Sequence, residues 1–158
     1  MTDSTTDDST TGGSTTDAPI TDAPTPDALT DQLRAAMPLC GLLGMRVIAQ
    51  RSDEVHLAMD WDAETCTVGG AMHGGALMAL ADATGAMAAF LNLPEGAGGT
   101  TTIESKTNFL GAARSGTIHA VARPLHAGRS TVVVETELRR DDGKLVTKTT
   151  QTQAVLAG

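Results

Sequence analysis

The sequence predicts an α+β fold: one antiparallel sheet wrapped around one long buried helix. Three observations carry this. From Ala76 to Leu91 only Asp82 and Thr84 are polar, and a helix apolar nearly all round is a buried one. Four segments after it have strand character. Asp142-Gly143 is a strong hairpin signal, and hairpin-length connections imply antiparallel pairing.

The elements follow in order. Pro26-Asp27-Ala28-Leu29 opens a first helix, with Asp27 placed to cap it. Leu29, Leu33, Ala36 and Met37 fall on one helical face. Pro38 and Gly41 are expected to end that helix. Met45 to Gln50 and Glu54 to Asp60 read as two strands joined by Arg51-Ser52-Asp53. In the second, Val55, Leu57 and Met59 alternate with His56, Ala58 and Asp60. A glycine-containing loop, Trp61 to Met72, leads to the main helix, and Asn92 to Gly99 stops it. Thr100 to Leu110, Thr117 to Leu125, Ser130 to Arg140 and Leu145 to Leu156 are the later strands. Ile118, Ala120 and Ala122 share one face of the second of these, and Val132, Val134, Thr136 and Leu138 one face of the third. A lone sheet of this kind leaves edges to manage, and pairing two copies would hide one of them.

The chain has 158 residues, enough for one domain. Residues 1–27 are rich in Thr, Asp, Ser, Gly and Pro, lack Lys and Arg, and are expected to be a disordered acidic tail. Residues 28–158 then form the domain. The formal charge of -8 is mostly the tail's, through Asp3, Asp7, Asp8, Asp17, Asp22 and Asp27. No basic run and almost no aromatic content speak for nucleic acid. The opening residues lack a signal-peptide pattern, and no apolar run is long enough to cross a bilayer, so a cytoplasmic protein without membrane contact is expected. Cys40 and Cys66 have no metal-ligand spacing, so neither metal nor cofactor is expected. No nucleophile elbow, phosphate loop or dinucleotide glycine pattern is present, and a Cys66–His73 nucleophilic pair rests on proximity alone.

The chemistry concentrates at His73-Gly74-Gly75 and Asp82. A carboxylate in an apolar helix is expensive unless paired or used. A glycine-opened helix start offers N–H donors to a developing negative charge. Gly74 and Asp82 lie eight residues apart, roughly 12 Å along one helix axis, so Asp82 cannot reach its own helix tip. A site made from both needs a second copy of the chain in an isologous pair. There Gly74 N–H would polarise a carbonyl, and Asp82 would attack it or activate a water, which is acyl transfer to water. The competing structural readings are a carboxylate that caps the partner's helix and glycines that serve close helix–sheet packing.

The run His73-Gly74-Gly75-Ala-Leu-Met-Ala-Leu-Ala-Asp82 resembles the signature of hot-dog-fold acyl-CoA thioesterases of the phenylacetate-pathway and 4-hydroxybenzoyl-CoA group. The resemblance extends through Thr107-Asn108-Phe109-Leu110, His126-Ala127-Gly128-Arg129-Ser130 and Asp142-Gly143-Lys144-Leu145, about residues 30–156 in all. It implies a hot-dog fold and a homodimer or dimer of dimers. It also implies Gly74 as the amide donor to the thioester carbonyl and Asp82 as nucleophile or base. Thr102 matches an assisting hydroxyl, and Gly128, Arg129 and Ser130 match a turn that touches CoA. His73 and Gly75 belong to the implied substrate-binding set, His73 as a residue that orients the loop rather than a base. Two departures stand out. Thr67 occupies the place where the family carries Asn or Gln to hold the carbonyl or water, and Gly111-Ala112 replaces a basic Arg-Pro pair, with Arg114 a distant substitute. The expected activity is hydrolysis of a short- or medium-chain or aromatic acyl-CoA. The alternatives are a hot-dog enoyl-CoA hydratase or dehydratase, tested by loss of the enoyl double bond, and a non-catalytic acyl-CoA-binding protein, which would bind without releasing thiol.

Overall fold

A computed structural model describes residues 24–158; the expected tail lies outside the described residues as far as residue 23. Two short helices, α1 (Pro26–Ala36) and α2 (Pro38–Leu42), precede strands β1 (Arg46–Gln50) and β2 (Val55–Asp60). The long helix α3 (Gly74–Phe90) follows, then strands β3 (Ala97–Phe109), β4 (Thr117–Ala127), β5 (Thr131–Arg140) and β6 (Leu145–Ala157). All six strands pair antiparallel in the order β1-β2-β4-β5-β6-β3. α3 lies across one face and packs on β2, β3, β4, β5 and β6, while α1 packs on β1.

The hairpins form where turn chemistry favours them. Gly143 sits at φ 79 between β5 and β6, in the left-handed region glycine enters without strain. Asp142 accepts from Lys144 N at 3.1 Å and closes that turn. The alternation expected in β2, β4 and β5 is the core: Val55, Leu57, Met59, Ile118, Ala120, Ala122, Val132, Val134 and Leu138 are buried and face α3 or α1.

The N-terminal part differs in detail. The cap of α1 is Thr25, whose Oγ1 accepts from Ala28 N, and not Asp27, which is in the first turn. α1 ends at Ala36, ahead of Pro38 as expected, but Pro38 also opens a further short helix, α2, because proline suits a first helical position that needs no N–H partner. Ala36 is exposed, and the inward-facing place beside Leu33 is taken by Thr30, whose hydroxyl accepts from Val47 N at 2.8 Å. That bond ties α1 to the first strand.

The larger correction concerns α3. Its buried residues are Leu77, Leu80, Ala81, Ala83, Thr84, Gly85, Ala88 and Ala89. Gly75, Met78, Asp82 and Phe90 form an exposed stripe at helical spacing. In this single chain the apolar helix is covered on one side only.

Candidate functional site

α3 starts on a histidine cap. His73 Nδ1 accepts from Gly75 N at 2.8 Å, and His73 O accepts from Ala76 N at 3.0 Å and Leu77 N at 3.1 Å. Gly74 N–H, at the same tip, makes no hydrogen bond among the described residues. The cap therefore spends every amide of the first turn except the one at Gly74, which is what an anion or polarised carbonyl needs there. The His73 Nδ1 lone pair is engaged in this cap. Gly74 is tightly packed: a Cβ would stand 3.1 Å from the Phe109 ring at the end of β3, so that ring would have to shift by a few tenths of an ångström.

The loop before the helix is pinned from several sides. Thr67 N donates to Ala71 O at 2.8 Å, and Met72 N donates to Ala113 O at 2.8 Å. Arg114 hydrogen-bonds the Gly69 carbonyl, so it holds this loop. Thr67 itself is exposed. Leu39, Leu43, Cys66, His73, Ala76 and Ala79 line a hollow of about 410 Å³ beside the helix tip.

Asp82 stands two helical turns away on the exposed stripe, and the distance along α3 keeps it from Gly74 of its own chain. Its carboxylate accepts from Gln151 Nε2. The same Nε2 lies 3.3 Å from Thr102 Oγ1, which also accepts from Gln153 Nε2 at 2.8 Å. Gln153 Oε1 in turn accepts from Thr100 at 3.1 Å. A polar ladder thus runs from the helix to the edge strand: Asp82, Gln151, Thr102, Gln153, Thr100. Two amides donate to Thr102 Oγ1, which leaves its own proton available as a donor. A β-bulge follows at once, since the β3–β6 register skips between Thr102 and Glu104 and leaves Ile103 unpaired and exposed.

Asp82 and Thr102 are therefore brought together, and Gln151 and Gln153 join them unforeseen. The alternation of β6 was the available signal: Thr147, Thr149, Gln151 and Gln153 repeat every second residue, on a face the sequence pattern alone did not assign to helix or solvent.

Gly128, Arg129 and Ser130 lie at the β4–β5 turn, where Gly128 N donates to Thr131 O at 2.9 Å and Val155 N to Ser130 O at 2.9 Å. Arg129 and Ser130 border a hollow with Pro94, Gly96 and Ala97, beyond the C-terminal end of α3. In one chain, then, Gly74 with His73 and Thr67, Asp82 with Thr102, and the Gly128–Ser130 turn occupy three separate stations along the helix.

Neither cysteine is placed as a nucleophile. Cys66 Sγ donates to the Asp62 carbonyl at 3.2 Å and does not meet His73. Burial first, and the charge of Asp82 second, push the Cys40 thiol up, so it is poorly suited to a thiolate role. His56 and His119 lie on the opposite sheet face, 3.1 Å apart, with His119 bonded to Asp141 at 3.1 Å. Among the described residues no group of three or more His, Cys, Asp and Glu side chains converges as metal ligands. No helix among them is long and apolar enough to cross a membrane.

Comparison with known proteins fits this geometry. A family model described as the thioesterase superfamily matches residues 69–147, which hold the end of the loop, α3 and strands β3 to β5. The 1,4-dihydroxy-2-naphthoyl-CoA hydrolase of Escherichia coli is 30% identical over 118 residues, 75% of this chain and 86% of that protein. A variant thioesterase of Pseudomonas aeruginosa superposes with a TM-score of 0.75 at 34% identity, over 82% of this chain and 94% of the other. A thioesterase of Haemophilus influenzae superposes with a TM-score of 0.77 at 29% identity, over 86% and 93%. By fold and by sequence, this chain is a hot-dog-fold member of the thioesterase superfamily and a thioester hydrolase.

Proposed function

We propose that the chain hydrolyses a short- or medium-chain or aromatic acyl-CoA, in sites shared between two protomers. The observation that carries this is the exposed Asp82 carboxylate, set in an apolar stripe about 12 Å along α3 from the one unspent amide of the helix tip. A second protomer packed antiparallel on that stripe brings Gly74 of one copy to Asp82 of the other. The edge strand β3 supports the same pairing. It is 13 residues long and exposes Ile103 and Phe109, a liability that a partner strand removes.

In such a site Gly74 N–H, backed by the helix dipole, polarises the thioester oxygen. Asp82 attacks the carbonyl carbon or takes a proton from a water that does so. The C–S bond breaks and CoA leaves as the thiol; the added water supplies the acid's new oxygen. The Thr102 hydroxyl hydrogen-bonds the water or the acyl group. The hollow beside the helix tip, lined by Leu39, Leu43, Ala76 and Ala79 together with the polar Glu64, Thr65 and His73, suits a hydrocarbon acyl chain or ring. Gly128, Arg129 and Ser130 suit the CoA moiety, with Arg129 supplying charge to its phosphates. An aromatic acid is favoured by the name of the Escherichia coli relative, a naphthoyl-CoA hydrolase.

The test is thiol release from a panel of short-chain, medium-chain and aromatic acyl-CoAs, with wild type and Asp82→Asn side by side. At least one thioester should be turned over, and Asp82→Asn should lower that rate by about 10³ with melting temperature and dimer mass unchanged. Near-normal turnover in a folded Asp82→Asn variant, or a wild-type monomer in light scattering, overturns the reading.

A further inference from the structure

We propose that Gln151 is the positioning residue for Asp82, holding its carboxylate in the reactive orientation through Nε2–H. The inference rests on the reading of Asp82 as the catalytic carboxylate. Asp82 lies on an open helical stripe, where an unheld side chain would sample several rotamers. Among the described residues Gln151 Nε2 is its one hydrogen-bond donor. The amide cannot turn round, because a carboxylate accepts and Gln151 Oε1 has nothing to donate. Its second Nε2 hydrogen meets Thr102 Oγ1 at 3.3 Å, so one planar group sets the spacing of carboxylate and hydroxyl.

Two otherwise costly choices are explained together. Gln151 is fully buried, and its Oε1 has no hydrogen-bond partner. An apolar side chain of similar size would avoid that orphan carbonyl. Gly85 sits inside α3, where glycine weakens a helix. A Cβ there would stand 2.1 Å from Gln151 Oε1. The glycine thus leaves the space that lets the glutamine reach Asp82 from below.

The test uses the full-length chain and three variants: Gln151→Leu, Gly85→Ala and Asp82→Asn. Gln151→Leu should lower kcat about tenfold or more for the acyl-CoA turned over fastest, with KM held within about twofold, since orientation is lost and binding is not. In the Asp82→Asn background the same change should cost nothing further, as expected of a residue that acts only through Asp82. Gly85→Ala displaces the amide while favouring the helix, so it should reproduce the kcat loss in a folded protein even if Gln151→Leu folds poorly. Independently of turnover, the side-chain amide NMR signals of Gln151 should move in Asp82→Asn while those of Gln153 stay. Unchanged kcat in Gly85→Ala, a fully additive loss in the double variant, or an unmoved Gln151 signal overturns the inference. Wild-type turnover in Asp82→Asn would overturn instead the reading on which it rests, and the amide signal would still report whether the contact exists.

Discussion

Beneath α3 the sheet has two unlike halves. Under β2, β4 and β5 the helix meets Val55, Leu57, Met59, Ile118, Ala122, Val132 and Leu138, all fully buried and apolar, with Thr136 of β5 the buried polar exception among the described residues. Under β6 it meets Thr147, Thr149, Gln151 and Gln153, equally buried and all polar. Both halves alternate with the same two-residue period and are built on the same ladder. They differ in what burial does. Apolar burial drives folding at about 25 cal/mol per Å², whereas a buried amide or hydroxyl must find a partner merely to break even. Two groups of the β6 half, Thr147 Oγ1 and Gln151 Oε1, find none, and neither does Thr136 Oγ1 on β5. The half that carries the proposed site is thus the half that packing alone would not choose, as is common where function is held at the expense of stability.

The contrast can be broken from either side. Leu80 is the largest fully buried side chain of α3 and apolar, and Leu80→Ala should destabilise by about 2–5 kcal/mol in chemical denaturation. The kcat of the remaining folded protein should stay near wild type; a large kcat loss there would show the two halves to be coupled. Thr102→Val removes a hydroxyl of the polar ladder and keeps the volume. It should lower kcat about tenfold, roughly 1.4 kcal/mol, with a melting temperature close to wild type. An unchanged rate would remove Thr102 from the site.

The smallest effect lies on the outer sheet face. Burial first, and the neighbouring His119 second, hold the His56 imidazole below its usual range. The unfolded chain then takes up a proton near pH 6.5 that the folded chain resists. Stability from this source is present above that pH and is lost as pH falls below it. His56→Gln should flatten the slope of stability against pH below about pH 6.5 without changing turnover. A slope identical to wild type would place the acid sensitivity elsewhere.

Much was legible in the chain. Period-two alternation and glycine turns located all six strands, because hydrophobic patterning and turn chemistry are local. The His73-Gly74-Gly75 start and the lone Asp82 stood out because a carboxylate in an apolar helix is a costly exception. The pairing of β3 with β6, and of β2 with β4 across the long α3 excursion, was not legible. Nor were the cap at Thr25 and the opening of α2 by Pro38, which turn on single hydrogen bonds and on where the chain must next go.

Residue order by itself determined the elements, the candidate carboxylate and the helix tip, since each depends on neighbours within a few positions. Tertiary structure alone decided that β6 turns its polar face inward, that Gln151 meets Asp82, and that the apolar helix leaves one stripe uncovered. Strand order and facing are set by contacts between residues far apart in the chain, and a two-residue period looks the same from either side of a sheet.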